Sequence, residues 1–352
     1  VADIRAKIAA GVHRPGDQIG SQHELAQQYQ VSLITIKKAL SELINQGVLF
    51  SRIGKGTYVA FPATSLARQK VIGLVLRDLK NAFFSLILHS VESAASQNSY
   101  NLLLANAADR LEKEEIIIQH FLELGVDGLI IASSAQTYRA TPGIRKLKEQ
   151  NFPYILVSYI QDPDIHFVGT DHELGGFLAT EHLINSGYRK IGYINGGPEN
   201  LLGEIRKQGY LCALKSHQLE VNAKFIFQLQ SKWNDFDEGY QIGRQFLKLL
   251  DRPEAMFAFK DMVALGFEQA LLDANVAIPG EVALVGFDDI ERAQYAPVAL
   301  TTIHQPTDLI GALAVKSILK QIEGEEIDPR TILQPSLVVR DSCAVKTEKV
   351  RE

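Results

Sequence analysis

Between Val31 and Val59 the chain reads VSLITIKKALSELINQGVLFSRIGKGTYV, and its polar residues are of the kind that meet nucleic acid. Ser32, Thr35, Lys37 and Lys38 are short hydroxyls and cations, suited to phosphate oxygens and base edges. Opposite them fall Ile36, Ala39, Leu40, Leu43 and Ile44, whose spacing makes one apolar stripe at the 3.6-residue period and predicts a helix. Lys37 is the candidate phosphate contact; Ser32 and Thr35 are the candidates for base edges. Gly47 stands where a helix end favours a left-handed residue. Beyond it, GVLFSR and GTYV predict two short strands joined by a tight turn, Ile53-Gly54-Lys55-Gly56. Arg52, Gly54 and Lys55 would sit at the tip of that wing, with Lys55 in reach of a phosphate or a minor groove.

Upstream, GSQHELAQQY from Gly20 to Tyr29 predicts a preceding short helix, with Ser21 and Glu24 spaced as a capping box. Gln22 and His23 complete the candidate DNA-contacting set. Helix, turn, helix and wing in this order are a specific signal, and they outweigh the alternative of a small helical domain with an incidental hairpin. Charge points the same way. Residues 1–60 hold seven Lys/Arg against four Asp/Glu, whereas the remainder holds 29 against 37. A basic module on an acidic body puts the nucleic-acid contact at the N-terminal end, which the overall pI of 6.0 conceals.

Residues 61–70 have no clear periodicity and read as a linker. After them, apolar β-type runs occur at Val71–Leu76, Leu102–Ala105, Gly128–Ala132, Tyr154–Val157, Ile191–Asn195, Met256–Phe259 and Val282–Phe287. Between most lie amphipathic stretches of helix length, such as Ser85–Gln97, Leu111–Leu124, Leu174–Ser186 and Met262–Ala274. Strands apolar throughout, alternating with helices, predict an α/β fold with parallel sheets. The pattern runs about 270 residues, which suits two lobes better than one sheet. Ligands in such sheets sit beyond the carboxyl ends of the strands. That geometry selects Arg77, Ser133, Asp171, Lys260 and Asp288.

Asp171 and Asp288 suit a polyol, since one carboxylate can accept from two adjacent hydroxyls; each could instead be a helix cap. Asp289 is expected to cap the following turn. Trp233 is the single Trp, set in QSKWNDFDEG, and its indole could stack on a sugar face or simply be a surface or core residue. Phe83 and Phe84 are adjacent, so at most one is expected to face a cleft.

The first 60 residues resemble the GntR-type winged helix, through Pro15-Gly16-Asp17, Ser21 to Ala26, Val31 to Leu40 and Gly54 to Val59. Two departures stand out: Leu33 and His23 occupy positions where that family usually has Arg. The numbering opens at Val1, partway through the expected first helix, so a preceding segment is expected. Residues 71–342 resemble the LacI/GalR effector domain, built like a periplasmic sugar-binding protein. The likeness is carried by IGLVLRDLKNAFF at 72–84, DGLIIAS at 127–133 and VGTDHELGGFLATEHLINSGYRKIGYINGGP at 168–198. RKQGY at 206–210, KDMVALGFEQALLDANVAIPGEVALVGFDD at 260–289, LTTIHQP at 300–306 and LVVRDS at 337–342 continue it.

The resemblance implies two lobes closing on a small molecule, lobe one at about 71–171 plus 306–334 and lobe two at about 172–304, with a tail from 343. It adds Phe84, Trp233 and Gln305 to the candidate effector contacts. Counting back from the RKQGY run, the family's effector-contacting Arg falls on Glu204, and its Asn is Lys260. One expectation is that Lys260 pairs with Asp288 and Glu204 around a neutral monosaccharide. The other is that Lys260, helped by Arg77, takes the anionic group of an acidic sugar. The neutral sugar is preferred because the two carboxylates would oppose an anion.

Together these readings imply a homodimeric, ligand-controlled transcription factor, more a repressor than an activator, acting on palindromic double-stranded operator DNA. The alternative is an enzyme of carbohydrate metabolism fused to a DNA-binding module; a plain sugar-binding protein is a third. Catalytic constellations are weak. His172-Glu173 lacks a second His at metalloprotease spacing, and Gly54-Lys55-Gly56-Thr57 lacks the ending of a phosphate loop. No cofactor and no metal are expected. With only Cys212 and Cys343, no membrane-length apolar run and no leader pattern, the expected place is the cytoplasm.

Overall fold

The computed structural model describes residues 1–52, 56–60, 70–230 and 235–343, and it falls into two compact units, Val1–Gln69 and Lys70–Glu352. The first contains α1 (Ala2–Ala9), α2 (Gln22–Tyr29), α3 (Leu33–Asn45), β1 (Leu49–Arg52) and β2 (Gly56–Val59). Ser21 and Glu24 make the reciprocal capping box that starts α2. Gln30, at a φ of 51°, ends that helix, and the Val31 N–H donates back to Ala26 O at 3.1 Å, which forms the turn. Ser32 then caps α3 by accepting from Thr35 N. Ile36, Leu40 and Leu43 bury the α3 stripe against Ile4, Ile19, Leu25, Leu49 and Val59. The two strands pair antiparallel from Leu49–Val59 to Arg52–Gly56.

The second unit carries two six-stranded sheets. Its first half runs β3 (Val71–Leu76), α4 (Ala82–Gln97), β4 (Asn101–Asn106), α5 (Leu111–Leu124), β5 (Gly128–Ile131), α6 (Pro142–Glu149), β6 (Tyr154–Leu156) and β7 (Phe167–Thr170). The chain continues with α7 (His172–Asn185), β8 (Ile191–Asn195), α8 (Leu201–Ser216), β9 (Ile226–Gln228), α9 (Asp235–Phe246), β10 (Ala255–Ala258) and α10 (Asp261–Asp273). Last come β11 (Ala283–Asp288), α11 (Glu291–Gln294), β12 (Thr301–His304), α12 (Thr307–Ile322), β13 (Arg330–Leu333) and β14 (Ser336–Val338).

One sheet has the order β13-β7-β6-β5-β3-β4 and is parallel throughout. The other has the order β14-β12-β11-β10-β8-β9, parallel except for β14. Strands such as β8, β10 and β11 are buried along their whole length, which is why they carry few polar side chains. The chain passes between the sheets after β7, after β12 and between β13 and β14.

Two expected boundaries change. Residues 336–338 pair with β12, so the lobe expected to end at 304 regains an edge strand near the C-terminus. Cys343, expected in the tail, is buried in the core of that lobe, and burial pushes its thiol up to about 11.

The α7–α8 crossing is unusually close. A Cβ on Gly209 would lie 2.0 Å from Glu173 O, and one on Gly176 would lie 2.1 Å from Arg206 O. Gly in mid-helix costs about 1 kcal/mol relative to Ala, but here the missing methyl is what lets the backbones meet. Gly209→Ala is therefore expected to destabilise, since overpacking at a backbone contact outweighs the propensity gain by about 1–2 kcal/mol. A lowered urea midpoint checks this; an unchanged or raised midpoint would count against the close-packing account.

Candidate functional site

In the first unit, Lys37 and Lys38 are exposed on α3, and Gln22 and His23 are exposed at the start of α2. Ser32 and Thr35 are also exposed, yet their hydroxyls face each other at 2.8 Å and Ser32 Oγ serves the helix cap. Arg52 belongs to β1; Gly54 and Lys55 lie outside the described residues. The first turn of α3 also exposes an apolar side chain that pattern reading passed over. It is Ile34, 77% exposed.

In the second unit a cleft of about 410 Å³ is lined from both sheets. Arg77, Phe84, Ser133, Lys260, Asp288 and Gln305 all line it, as expected. Trp233 lies outside the described residues. Asp171 and Glu204 do not line the cleft. Asp171 caps α7, accepting from Leu174 N at 2.9 Å. Glu204 accepts from Asn195 Nδ2 at 2.5 Å and pairs with Lys207 on the same helix. Phe83 and Phe84 both line the wall, edge to face at 5.4 Å, so the expectation that only one could do so was too strict.

The cation of the cleft floor is Arg206, 4% exposed, not a residue at position 204. Its guanidinium lies on the Phe287 ring at 3.6 Å from the centroid. Nη1 donates to Phe259 O, and Nη2 reaches His172 Nδ1 at 3.3 Å and Asp288 Oδ1 at 3.5 Å. Guanidinium can only donate, so His172 must accept at Nδ1 and carry its proton on Nε2. Burial and the adjacent Arg206 hold this imidazole neutral, well below its usual range.

Asp288 also accepts from Gln305 Nε2 at 2.7 Å, and burial raises its carboxyl despite Arg206 and Lys260. Its φ of 116° is one that non-glycine residues rarely adopt, so the turn holds this carboxylate in place at a cost in backbone strain. Two buried polar atoms on the cleft residues find no partner among the described residues: Arg206 Nε and Thr170 Oγ1.

Lys260 was expected to meet Asp288 and Glu204. Instead it caps α10 through its backbone and its ammonium pairs with Asp235. Arg77 is likewise matched by Asp109, which a φ of 59° holds in place. Ser133 spends its hydroxyl proton on Glu114, whose buried carboxyl also accepts from Ser134 N and is pushed up by desolvation. Among the described residues no helix is long and apolar enough to cross a membrane.

A winged helix joined in one chain to a two-sheet body with a cleft between its lobes defines a class: a DNA-binding module carried by a small-molecule sensor. Residues 1–59 match "Bacterial regulatory proteins, gntR family", and residues 180–343 match "Periplasmic binding protein-like domain". The arabinose metabolism transcriptional repressor of Geobacillus stearothermophilus is 29% identical over 352 residues, covering 97% of this chain and 95% of that protein. The repressor PurR of Vibrio vulnificus is 31% identical over 278 residues, 78% of this chain and 81% of its own length.

Among solved structures, a LacI family transcriptional regulator from Enterococcus faecium with bound ribose aligns at 29% identity and a TM-score of 0.67, covering 79% of this chain and all of that one. The transcription regulator CcpA of Lactococcus lactis aligns at 27% identity and a TM-score of 0.69, covering 78% of this chain and all of that one. The chain belongs to the LacI-type transcriptional repressors, in the variant plan that carries a GntR-type DNA-binding domain.

Removing Arg206 would leave Asp288 buried with Gln305 and the more distant Lys260. Breaking a buried pair from one side costs about 3–5 kcal/mol, and Arg206→Met is expected to lose that much stability near pH 8. A carboxyl raised when folded above its unfolded value of 3.8 contributes fully below that value and loses its contribution as pH rises through the raised one. Without Arg206 it rises further, so the deficit of the variant should widen with pH. Urea unfolding at pH 5 and pH 8 checks the sign; an equal deficit at both would argue against the pairing.

Proposed function

We propose that the chain is a dimeric repressor that binds a palindromic operator and is controlled by a neutral monosaccharide held in the cleft. The observation carrying this is the pairing of charges around the cavity. Arg77 with Asp109, Lys260 with Asp235, and Arg206 with Asp288 are each matched within the protein. A ligand entering such a site gains most by bringing hydroxyls, which donate to Asp288 and accept from Arg206 Nε or exchange bonds with Thr170. Aromatic walls from Phe84, Tyr138, Tyr159 and Phe167 supply faces for the C–H side of a sugar ring. Lys80, Asp78 and Glu199 stand among the lining residues with both signs present, which also favours a neutral guest.

The ribose in the Enterococcus faecium relative supports this ligand class, and the repressor names of the relatives support a regulator rather than a catalyst. Dimerisation and cytoplasmic residence belong to the same reading, since an operator is read by symmetric partners. Titration calorimetry with matched panels of neutral sugars, uronates and sugar phosphates tests the proposal. A neutral sugar should bind saturably and change operator affinity at the same concentrations, because the two bindings are thermodynamically linked. Binding confined to the anionic set and lost in Lys260→Met would overturn the neutral assignment; saturable binding without any change in operator affinity would overturn the regulatory one.

On the DNA side, Lys37 is read as a phosphate contact. Lys37→Ala should weaken binding to every duplex and lower the slope of log affinity against log salt by about 1 per subunit. A salt titration of the two proteins decides, and an unchanged slope would place Lys37 away from phosphate.

A further inference from the structure

We infer that Ile34 reads a thymine 5-methyl group in each operator half-site, and so sets part of the base preference of this regulator. The inference rests on the reading of residues 1–59 as its DNA-binding domain. Ile34 occupies the first turn of α3, the end of a recognition helix that approaches base edges. Its side chain is 77% exposed and contributes nothing to the packed core of the unit, which is built from Ile36, Leu40 and Leu43 on the other face.

Folding gives no reason for an isoleucine there. A β-branched residue is a poorer helix former than Glu or Lys, and an acid would suit the positive end of the helix better. The hydroxyls on either side are already occupied with each other, Ser32 Oγ with Thr35 Oγ1 at 2.8 Å, and Ser32 Oγ also accepts from Thr35 N. The projecting group of this turn is therefore hydrocarbon.

What covers it follows from its neighbours. Lys37 and Lys38 are exposed three and four residues on, positions that share a helix face with Ile34. An apolar group framed by two cations suits a surface that is anionic at its rim and apolar at one point within. The major groove offers that combination at thymine, whose methyl lies between flanking phosphates. A second copy of the same face would set Lys against Lys, and an apolar protein partner would leave both cations unmatched. Leu33, the neighbouring residue of the same turn, brings no hydrogen-bonding group either, so shape and methyl contact carry more of the discrimination here.

The test starts by selecting duplexes from a random library with the full chain at fixed ionic strength, then replacing each thymine of the enriched duplex by deoxyuridine, which deletes only the methyl. At one step per half-site, the replacement is expected to weaken the wild-type protein about fivefold. Ile34→Ala should bind the thymine duplex more weakly by a similar factor and show no further loss with deoxyuridine at that step. Ile34→Asn is expected to move the selected base there from thymine toward adenine. Enrichment of a duplex in which no thymine is methyl-sensitive would overturn the proposal, as would a methyl effect that persists undiminished in Ile34→Ala. If no duplex is enriched at all, the proposal and the DNA-binding reading beneath it fail together.

Discussion

Taking a guanidinium out of water costs several kcal/mol unless its charge and its N–H groups are met by protein, and the floor of this cleft is organised around meeting that cost for Arg206. Phe287 lies under the plane, Phe259 O takes one terminal nitrogen, and His172 and Asp288 share the other. The four partners come from three parts of the second lobe: His172 from the start of α7, Phe287 and Asp288 from the end of β11, and Phe259 from the residue after β10. None can move far without leaving the charge exposed to a low-dielectric surrounding. The close α7–α8 crossing serves the same end. Gly176 lets α7 sit directly on the backbone of Arg206, and Gly209 removes the second obstacle one turn further on. Glycines that weaken each helix by themselves thus fix the buried cation of the cleft floor.

The same cluster touches the passages between the sheets. Thr170 ends β7, His172 begins α7 and Gln305 follows β12, so three cleft residues sit where the chain crosses from one lobe to the other. Gln305 is bonded to Asp288, which is also held by Arg206. A molecule that engages Thr170 and Arg206 engages both lobes at once, and its binding free energy then depends on their separation. Differential affinity of that kind is the condition under which a ligand biases one arrangement over another. Arg206 Nε and Thr170 Oγ1 on these cleft residues are buried with no partner among the described residues, and a buried donor or acceptor left unmet costs about 1–3 kcal/mol.

Much of this was legible in the residues. The α3 stripe, the capping box at Ser21 and the two wing strands all follow from local pattern, because each depends on neighbours within a few positions; Gly56, expected in both turn and strand, begins β2. Strands β3 and β8 were read to the residue, being apolar throughout and bounded by polar turns. Strands β7, β9, β12, β13 and β14 were not read as strands: they are three or four residues long, and several are edge strands or rich in Thr and Gly. Their pairing is set by the sheet rather than by their own composition. The site divides similarly. Strand-end reasoning found Arg77, Ser133, Lys260 and Asp288, since it needs only the sheet polarity. It also selected Asp171, whose carboxylate the adjacent helix takes as a cap. Counting along α8 selected Glu204 over Arg206, because an offset of two residues on a helix turns about 200° around the axis and exchanges the buried face for the exposed one. The partner of Lys260 could not be read at all, since Asp235 lies 25 positions away in sequence.

Position 32 shows that residue type alone leaves two roles open at a helix start. Serine is favoured both as a helix cap and as a reader of phosphates or bases, and the same oxygen serves either purpose. In α3 that oxygen accepts from Thr35 N and lies against Thr35 Oγ1, so it is first a structural group. Whatever it offers to DNA is limited to the proton or lone pair the cap leaves over. The cap, in turn, holds the first turn of α3 rigid and presents Ile34, Lys37 and Lys38 together. A polar pair of the kind that meets nucleic acid is thus first what orders this turn, and the exposed groups beside it are one hydrocarbon and two cations.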